Sequence, residues 1–181
     1  MMLIDRLLQR CRFKAIASYL KVDDFVLDIG TGDGSFFSYF KNVNGVGIDP
    51  YPKIKFTKKS VTFYKGTFPG LNLKKTNFDA IIMLAVLEHI AKEKLNLISE
   101  ECRALLKING LILITVPSKK VDFILRILKK IKIVDAETLD QHYGFDVNSV
   151  EEIFNKGHFK LLVKRKFQLG FNNLFVFEKI A

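Results

Sequence analysis

The sequence has 181 residues, a formal net charge of +10 at pH 7 and two cysteines, Cys11 and Cys102. This length is typical of one domain with its own core, and so few cysteines exclude a disulfide-stapled fold and favour a reducing, cytoplasmic setting. No apolar run approaches the roughly 18 residues that a membrane-spanning helix needs, so we expect a single soluble domain over residues 1–181 that at most lies on a membrane surface.

The positive charge is concentrated in two segments. Residues 51–75 hold seven lysines and no acid, and residues 119–134 hold six basic side chains against one aspartate. Residues 135–155 reverse this pattern, with six acids and no lysine or arginine. Basic blocks attract anionic substrates, nucleic acid or acidic membranes at long range, but a solvated lysine-rich surface is the commoner reason for them.

The chain begins with a predicted amphipathic helix over residues 3–20, which we interpret as a flanking element within residues 1–22. Its apolar side chains at helical spacing are Leu3, Leu7, Leu8, Cys11, Ala15 and Tyr19. Five apolar runs of strand length follow, at residues 25–29, 44–49, 61–65, 78–84 and 111–116. Helix-like segments lie between them, notably residues 92–107. This alternation predicts a parallel sheet with helices on both faces.

The end of the chain departs from this alternation. A helix is predicted from near Asp146 to Gly157, and two strands follow at residues 159–167 and 173–180. The link between these strands is too short for a parallel crossover, so they must form an antiparallel hairpin. The sequence therefore predicts an α/β fold with a seven-stranded, mostly parallel sheet and a C-terminal antiparallel hairpin.

A glycine-rich turn follows the first predicted strand. In VLDIGTGDGSF, residues 26–36, glycines stand at positions 30, 32 and 34 directly after branched apolar residues. A turn of this kind presents free backbone N–H groups and the positive end of a helix to a ligand, and so forms a cradle for an anion or a cofactor. The spacing differs from the dinucleotide-binding pattern, because Ser35 stands where the third glycine belongs and Asp28 precedes the first.

Asp49 lies nineteen residues after Gly30, at the end of the second predicted strand. A carboxylate there can accept both hydroxyls of a ribose, as in nucleotide binders and adenosyl-group binders. The form DIGTGDG resembles the S-adenosylmethionine site of class I methyltransferases. FDAIIMLAVLEHI (78–90) resembles that family's fourth strand and the loop after it, and LLKINGLILITVPS (105–118) resembles its fifth strand with the preceding glycine turn. The resemblance extends from about Phe25 to the C-terminus.

The resemblance implies a Rossmann-like class I methyltransferase fold and S-adenosyl-L-methionine as the cofactor, with S-adenosylhomocysteine as the product. It assigns the glycine turn to the methionine and ribose portion, Asp28 to the amino-acid end and Asp49 to the ribose hydroxyls. Ile48 and Pro50 would flank the adenosine. The residues that it assigns to cofactor binding are Asp28, Gly30, Thr31, Gly32, Gly34, Asp49, Pro50, Gly66, Thr67, Leu84 and Ala85.

One position departs from the family pattern. After the third strand the family often has Gly-Asp, whose acid contacts the adenine amino group, but this chain has Gly66 and Thr67. A threonine hydroxyl is a weaker acceptor than a carboxylate, so the departure bears on the adenine contact alone.

Methyl transfer to a hydroxyl benefits from a base, and histidine is the usual choice near neutral pH. His89 follows Glu88 at the mouth of the fourth strand, and His142 lies in a region that in this family closes over the acceptor. Both are candidate catalytic residues, each weighed against a structural role, whereas His158 at a helix end is interpreted as structural. Cys102 lies on the apolar stripe of a helix, which argues against cytosine-type nucleophilic chemistry.

Other methylation chemistries find little support in the sequence. The Asp/Asn-Pro-Pro-Tyr motif common in methylation of exocyclic amines is replaced after the fourth strand by LAVLEH. Metal-assisted transfer needs clustered carboxylates, and Glu88 is the one carboxylate evident at the site, so no metal is predicted.

Residues 119–145 form a predicted insert on the acceptor side. Within it, residues 119–134 have an apolar helical face flanked by lysines, which suits a lid over the substrate and, less often, a helix lying on an anionic membrane. We favour the lid.

The sequence as a whole predicts a cytoplasmic methyltransferase that acts on a small or lipid-linked acceptor, with oxygen as the preferred acceptor atom. One alternative is a nucleic-acid methyltransferase that uses the basic surface, with Phe56, Phe63, Tyr64 and Phe68 stacking on bases. Another is a non-catalytic subunit that binds the cofactor.

Overall fold

A computed structural model of the chain describes residues 3–71, 73, 77–118, 145–154 and 157–181. The predicted insert lies outside these residues apart from Phe145, and so does His142. Seven strands and four α-helices occur within the described residues. In chain order they are α1 (Leu3–Ile16), β1 (Phe25–Ile29), α2 (Ser35–Tyr39), β2 (Asn44–Asp49), β3 (Val61–Lys65), β4 (Phe78–Leu84), α3 (Leu95–Leu105), β5 (Leu106–Pro117), α4 (Ser149–Phe154), β6 (Phe159–Phe167) and β7 (Asn172–Lys179).

The seven strands form one sheet in the order β3-β2-β1-β4-β5-β7-β6. The neighbours among β1 to β5 pair in parallel, whereas β7 is antiparallel to both β5 and β6. The predicted fold class is therefore confirmed, including the terminal hairpin.

Helices cover both faces of the sheet, as predicted. The central strand β4 shows why its sequence is apolar at successive positions. Ile81 packs into the core on the α3 and α4 side, Ile82 packs into the core on the α1 and α2 side, and both side chains are fully buried. Strands buried on both faces lose the alternation of polar and apolar residues. The stripe predicted for α3 is also confirmed, because Leu95, Ile98 and Cys102 are buried.

Strand β5 is longer than the sequence indicates. It begins at Leu106, which is buried and pairs with Phe78, whereas the prediction placed its start at residue 111. Residues 107–109 are exposed, and Asn109 has a positive φ of 61°. The sequence around Gly110 was predicted to form a turn before β5, but it is an irregularity inside that strand. The register between β4 and β5 shifts at the corresponding place, between Phe78 and Ala80.

The buried face of α1 agrees with the predicted one at Ala15, which is buried, but differs from it elsewhere. Leu7 is 62% exposed and Leu8 is 36% exposed, while Phe13 and Ile16 are buried. Aromatic packing explains this orientation, because the Phe13 ring lies 5.2 Å from Tyr39 and 6.0 Å from Phe36, measured between ring centroids. The larger apolar surface of the phenylalanine determines which side of the helix faces the sheet.

Helix α4 begins at Ser149, three residues later than predicted. The Asp146 carboxylate accepts the Asn148 N–H at 3.2 Å, and the Asp146 carbonyl accepts the Ser149 N–H at 2.9 Å. These bonds form a turn that leads into the helix, so Asp146 precedes the first helical turn instead of capping it directly.

Candidate active site

The order of the strands reverses between β1 and β4. β1 pairs with β2 on one side and with β4 on the other, so the chain segments that leave β1 and β4 diverge from a common point. In open α/β sheets such a switch point leaves a crevice at the carboxyl ends of the strands, where ligands bind. The glycine turn leaves β1 at this crevice.

The turn requires glycine for two different reasons. Gly30 and Gly34 have φ values of +79° and +75°, a region that side chains disfavour. In addition, a Cβ on Gly30 would lie 2.4 Å from a methyl carbon of Val86, which follows β4. The close approach of the turn to the β4 segment thus depends on the absence of a side chain at Gly30.

The Asp49 carboxylate holds the turn in place. Its Oδ2 accepts the Gly32 N–H at 2.9 Å, and its Oδ1 accepts the Tyr51 N–H at 2.7 Å. Gly30 and Thr31 also donate their N–H groups to the Ile48 carbonyl, at 2.8 and 3.0 Å. A carboxylate offers about four lone-pair positions, so two of those on Asp49 remain for further donors.

The segment after β4 forms the opposite wall of the crevice. Ala85 has a φ of +59° and donates its N–H to the Thr115 carbonyl on β5 at 2.9 Å. Left-handed backbone at a residue with a Cβ costs energy and is often found at functional sites. The following residues form a single 3₁₀ turn, Leu87–His89, in which Glu88 is buried and His89 is exposed.

A cavity of about 310 Å³ lies between these two walls. Its volume falls within the range of about 300–1,000 Å³ that is typical of small-molecule sites. The cavity brings together seven of the sequence-predicted site residues, namely Gly30, Asp49, Pro50, Gly66, Thr67, Ala85 and His89. Asp28, Thr31, Gly32, Gly34 and Leu84 are not among its lining residues.

Several lining residues were missed by sequence reasoning. Phe68, Val86 and Ile90 contribute apolar walls, and Ile29 lies beside Gly30. Apolar residues in loops carry no motif, so their positions relative to the glycine turn could be recognised only from the fold. Ile48, which the sequence placed beside the adenosine, does line the cavity.

Asp28 is the buried acid beneath the turn. Burial raises the pKa of Asp28 to about 7, the hydroxyl of Thr31 opposes this shift, and the charge of Asp49 adds to it. Its carboxyl group therefore changes charge near neutral pH, where a cationic ligand group would favour the ionised form.

One further side chain bears on the chemistry. Cys102 is fully buried, and burial raises the pKa of its thiol well above the usual range, which makes it a poor nucleophile. In the part of the chain that the structure describes, no group of three or more His, Cys, Asp or Glu side chains could hold a metal ion. No helix among the described residues is long and apolar enough to cross a membrane.

Comparison with known proteins agrees with this architecture. The family model described as "Methyltransferase domain" matches residues 3–168. No significant match is found among curated protein sequences.

Among solved structures, a chain from the complex of the Haloferax volcanii Trm112 methyltransferase activator with a methyltransferase is 15% identical, with a TM-score of 0.74 over 98% of this chain and 94% of that one. The TehB-like SAM-dependent methyltransferase of Corynebacterium glutamicum is 16% identical, with a TM-score of 0.70 over 93% and 86%. The cyclopropane synthase MmaA2 of Mycobacterium tuberculosis is 14% identical, with a TM-score of 0.71 over 93% and 82%.

At these identities the structural likeness establishes the fold alone, whereas the family model spans most of the sequence. The chain belongs to the methyltransferase domain family and has the fold of S-adenosylmethionine-dependent methyltransferases.

Proposed function

We propose that this chain binds S-adenosylmethionine in the cavity between the glycine turn and the β4 segment, and that it methylates an oxygen of a small or lipid-linked acceptor. The observation that carries the cofactor assignment is the hydrogen bonding of the Asp49 carboxylate, which lies at the wall of that cavity. Its two oxygens hold Gly32 and Tyr51 through backbone N–H groups and keep acceptor capacity for the two hydroxyls of a ribose.

The residues around Asp49 fit the other parts of the cofactor. Gly30 and Gly66 bring backbone to the cavity without a side chain, and a Cβ on Gly66 would lie 2.1 Å from a carbon of Leu71. Thr67 lines the same cavity, so its hydroxyl is available to the adenine amino group in place of the usual acid. Pro50 and Ile48 supply flat and branched apolar surface for the base.

Asp28 completes the assignment for the amino-acid end. Asp28 is 4% exposed. It lies near the end of β1, two residues before Gly30, where the glycine turn begins. A buried carboxyl that ionises near pH 7 is suited to stabilise a nearby cationic group without a permanent desolvated charge in its absence.

The bound cofactor would supply a methyl group on positively charged sulfur, which needs no further activation by the protein. The chain's own contribution is then alignment and exclusion of water. Val86, Ile90 and Phe68 provide apolar walls for this purpose. The left-handed backbone at Ala85 orients the wall against Gly30.

We propose His89 as the base that takes the proton from the acceptor hydroxyl. It lies at the cavity on the 3₁₀ turn after β4, and its backbone N–H donates to the Val86 carbonyl at 3.0 Å, which fixes the turn. His142, the other candidate, lies outside the described residues and stays a prediction.

Proteins that share this fold include a methyltransferase from an activator complex and a cyclopropane synthase, so the fold itself does not select the acceptor. The nucleic-acid alternative loses part of its stacking surface. Phe68 is buried, and the Phe63 ring packs 5.9 Å from both Phe37 and Phe56, measured between ring centroids.

Calorimetric titration of the purified chain tests the cofactor assignment. We expect S-adenosylmethionine and S-adenosylhomocysteine to bind with one-to-one stoichiometry, and NAD to compete with neither. If NAD bound and the two sulfur nucleosides did not, the assignment would be wrong.

Turnover distinguishes an enzyme from a binding subunit. The chain would be incubated with a cell extract and with S-adenosylmethionine that carries a labelled methyl group, and labelled small molecules and lipids would be separated.

For His89→Ala we expect a loss of at least about 100-fold in labelling with unchanged S-adenosylhomocysteine affinity. His158→Ala is the matched control, because His158 precedes β6 and does not line the cavity. Cofactor binding without any label transfer would favour the binding subunit.

A further inference from the structure

A second cavity lies on the other side of the glycine turn, between α1 and α2. Its volume is about 390 Å³. It shares no lining residue with the cavity of about 310 Å³ that we propose for the cofactor, which we call the cofactor cavity. Asp33 and Ser35 of the turn and of α2 line this second cavity, whereas Gly30 lines the first. We call the second cavity the α1–α2 cleft.

One wall of the α1–α2 cleft is a row of side chains on α1. Arg6, Gln9, Arg10 and Phe13 are spaced three and four residues apart, so they lie on one side of the helix. Phe13 is buried against α2 and anchors the row, while Arg6 and Arg10 are exposed. Two guanidinium groups therefore stand one helical turn apart at the opening of the cleft.

The opposite wall consists of hydroxyl groups. Ser35, Ser38 and Tyr39 of α2 line it, again at spacings of three and four residues. The Ser35 Oγ is shielded from water and has no hydrogen-bond partner among the described residues. A buried hydroxyl without a partner is costly, and a ligand oxygen that accepts its proton would remove that cost.

The third side of the cleft is the segment between β2 and β3. Lys55 lies there, with its side chain 64% exposed and its Nζ 3.8 Å from the Asp33 carboxylate. Asp33 is the one acid among the lining residues, against three cations. The cleft therefore carries an excess of two positive charges and a set of N–H and O–H donors, which is the pattern that anionic oxygens require.

We propose that the α1–α2 cleft binds a phosphate group, free or carried by a larger molecule, through Arg6, Arg10 and Lys55 with the Ser35 hydroxyl as a further donor. The planar guanidinium groups match phosphate oxygens in pairs, and the lysine adds a point charge. This proposal does not depend on methyl transfer, because the cleft and the cofactor cavity have separate walls.

The cleft is nevertheless connected to the cofactor turn. Lys53 donates its N–H to the Gly32 carbonyl at 2.9 Å, and Lys55 donates its N–H to the Asp33 carbonyl at 3.3 Å. A phosphate held by Lys55 would thus lie on a segment bonded directly to the turn. A phosphorylated ligand in the cleft therefore lies one hydrogen-bonded segment away from the cofactor cavity.

Titration of the full chain with inorganic pyrophosphate tests the proposal. We expect saturable binding to the wild type and a loss of about tenfold or more in Arg6→Gln/Arg10→Gln, because charge-assisted hydrogen bonds are lost. The matched control is Lys94→Gln/Lys160→Gln, which removes the same net charge from exposed positions outside the cleft. Its affinity should stay within about twofold of the wild type.

The proposal is overturned if the wild type shows no saturable binding, or if the control variant loses as much affinity as the arginine variant. Thermal unfolding of both variants checks that each is folded, so that a lost fold is not taken for a lost site. A further variant, Asp33→Asn, removes the competing carboxylate and keeps an oxygen for the Ser35 N–H. We expect it to bind pyrophosphate about twofold or more tightly, and an unchanged or weaker affinity would count against the proposal.

Vesicles distinguish the source of the phosphate. Co-sedimentation with phosphatidylglycerol vesicles, compared with phosphatidylcholine vesicles, measures binding to lipid headgroups. Loss of vesicle binding in Arg6→Gln/Arg10→Gln would assign the cleft to an anionic headgroup. Binding of pyrophosphate without binding of vesicles would assign it to a soluble phosphorylated molecule.

Discussion

The two cavities beside the glycine turn are built from different parts of the chain. The cofactor cavity is formed by backbone at strand ends, with positive φ values at Gly30 and Ala85 and one carboxylate, Asp49, that accepts hydrogen bonds. The α1–α2 cleft is formed mostly by side chains on two helices that are able to donate hydrogen bonds, among them Arg6 and Arg10.

This difference has a consequence for substitution. A wall made of backbone tolerates no added atom, because the peptide path itself would have to move. A wall made of exposed side chains can change its chemistry while the fold stays the same. The fold therefore constrains the first cavity closely and leaves the chemistry of the second free to vary.

The largest effect is expected from Gly30→Ala. The new Cβ would meet Val86 at 2.4 Å at a φ of +79°, so strain and overpacking combine. We expect a loss of about 3 kcal/mol in unfolding free energy and at least about 100-fold in S-adenosylhomocysteine affinity. Urea denaturation and calorimetric titration measure the two quantities.

Gly157→Ala is a closely matched control for this variant. Gly157 has a φ of +78°, and a Cβ there would meet nothing within 4 Å. It should lose only the conformational cost of about 1–2 kcal/mol and no cofactor affinity. If the two variants were equally destabilised, the contact with Val86 would not be what constrains the turn.

The next effect concerns the one carboxylate at the cofactor cavity. Asp49→Ala removes the acceptor of the Gly32 and Tyr51 N–H groups, and it also removes the expected acceptor of the ribose hydroxyls. We expect S-adenosylhomocysteine affinity to fall by about 100-fold, which corresponds to about 3 kcal/mol.

Asp24→Ala serves as the control for Asp49→Ala. The Asp24 carboxylate also accepts a backbone N–H, from Lys21 at 2.7 Å, but it lies before β1, at the other end of the sheet. This variant should lose a little stability and keep its cofactor affinity. Unchanged affinity in Asp49→Ala would contradict the proposed role of that residue.

A smaller effect on cofactor affinity is expected when the pH is changed. The pKa of Asp28 is raised to about 7, so its carboxyl group gains charge as pH rises from 6 to 8. If the ionised form orients the amino-acid end of the cofactor, affinity should rise by about tenfold over that range. Asp28→Asn should have a flat profile in calorimetric titrations at each pH. A profile that kept its slope in Asp28→Asn would assign the titration to another group.

The same shift predicts the sign of a stability effect. The folded pKa of Asp28 lies above the unfolded value of 3.8, so the native state holds the proton more tightly between about pH 4 and pH 7. The contribution to stability is full below that window and is lost as pH rises through 7. In urea denaturation, Asp28→Asn should therefore gain stability relative to the wild type at pH 8 and gain little at pH 4.

The smallest effect is expected in the α1–α2 cleft. Lys55→Ala breaks the exposed pair with Asp33, whose atoms are 3.8 Å apart. Exposed ion pairs contribute little, so the change in unfolding free energy should be within about 0.5 kcal/mol. S-adenosylhomocysteine affinity should be unchanged, while pyrophosphate affinity should fall. A large loss of stability would show that the cleft is as constrained by the fold as the cofactor cavity.

The sequence predicted the sheet well because buried strands leave a strong local signal. Five strand ranges, including 78–84 and 159–167, agree with the structure, and the short link before β7 correctly indicated a hairpin. The orientation of α1 was predicted wrongly, because both Leu7 and Phe13 satisfy a helical period and the choice depends on rings in α2. Local spacing cannot supply that tertiary information.

The site was predictable where backbone chemistry restricts the residue type. Gly30 and Asp49 were recognisable because few residues allow a left-handed turn or accept two hydroxyls. Val86 and Ile90 were not, since any apolar residue could serve. The α1–α2 cleft was missed because its charges come from segments far apart in the sequence, such as Arg6 and Lys55.

The position of β7 has a consequence for synthesis of the chain. β7 follows β6 in sequence yet lies between β5 and β6, and it pairs with both. While the chain is being synthesised, β5 has an open edge and β6 has no neighbouring strand until β7 has left the ribosome. Exposed edges invite wrong pairing between chains, so the incomplete chain is at greatest risk of aggregation immediately before that strand appears.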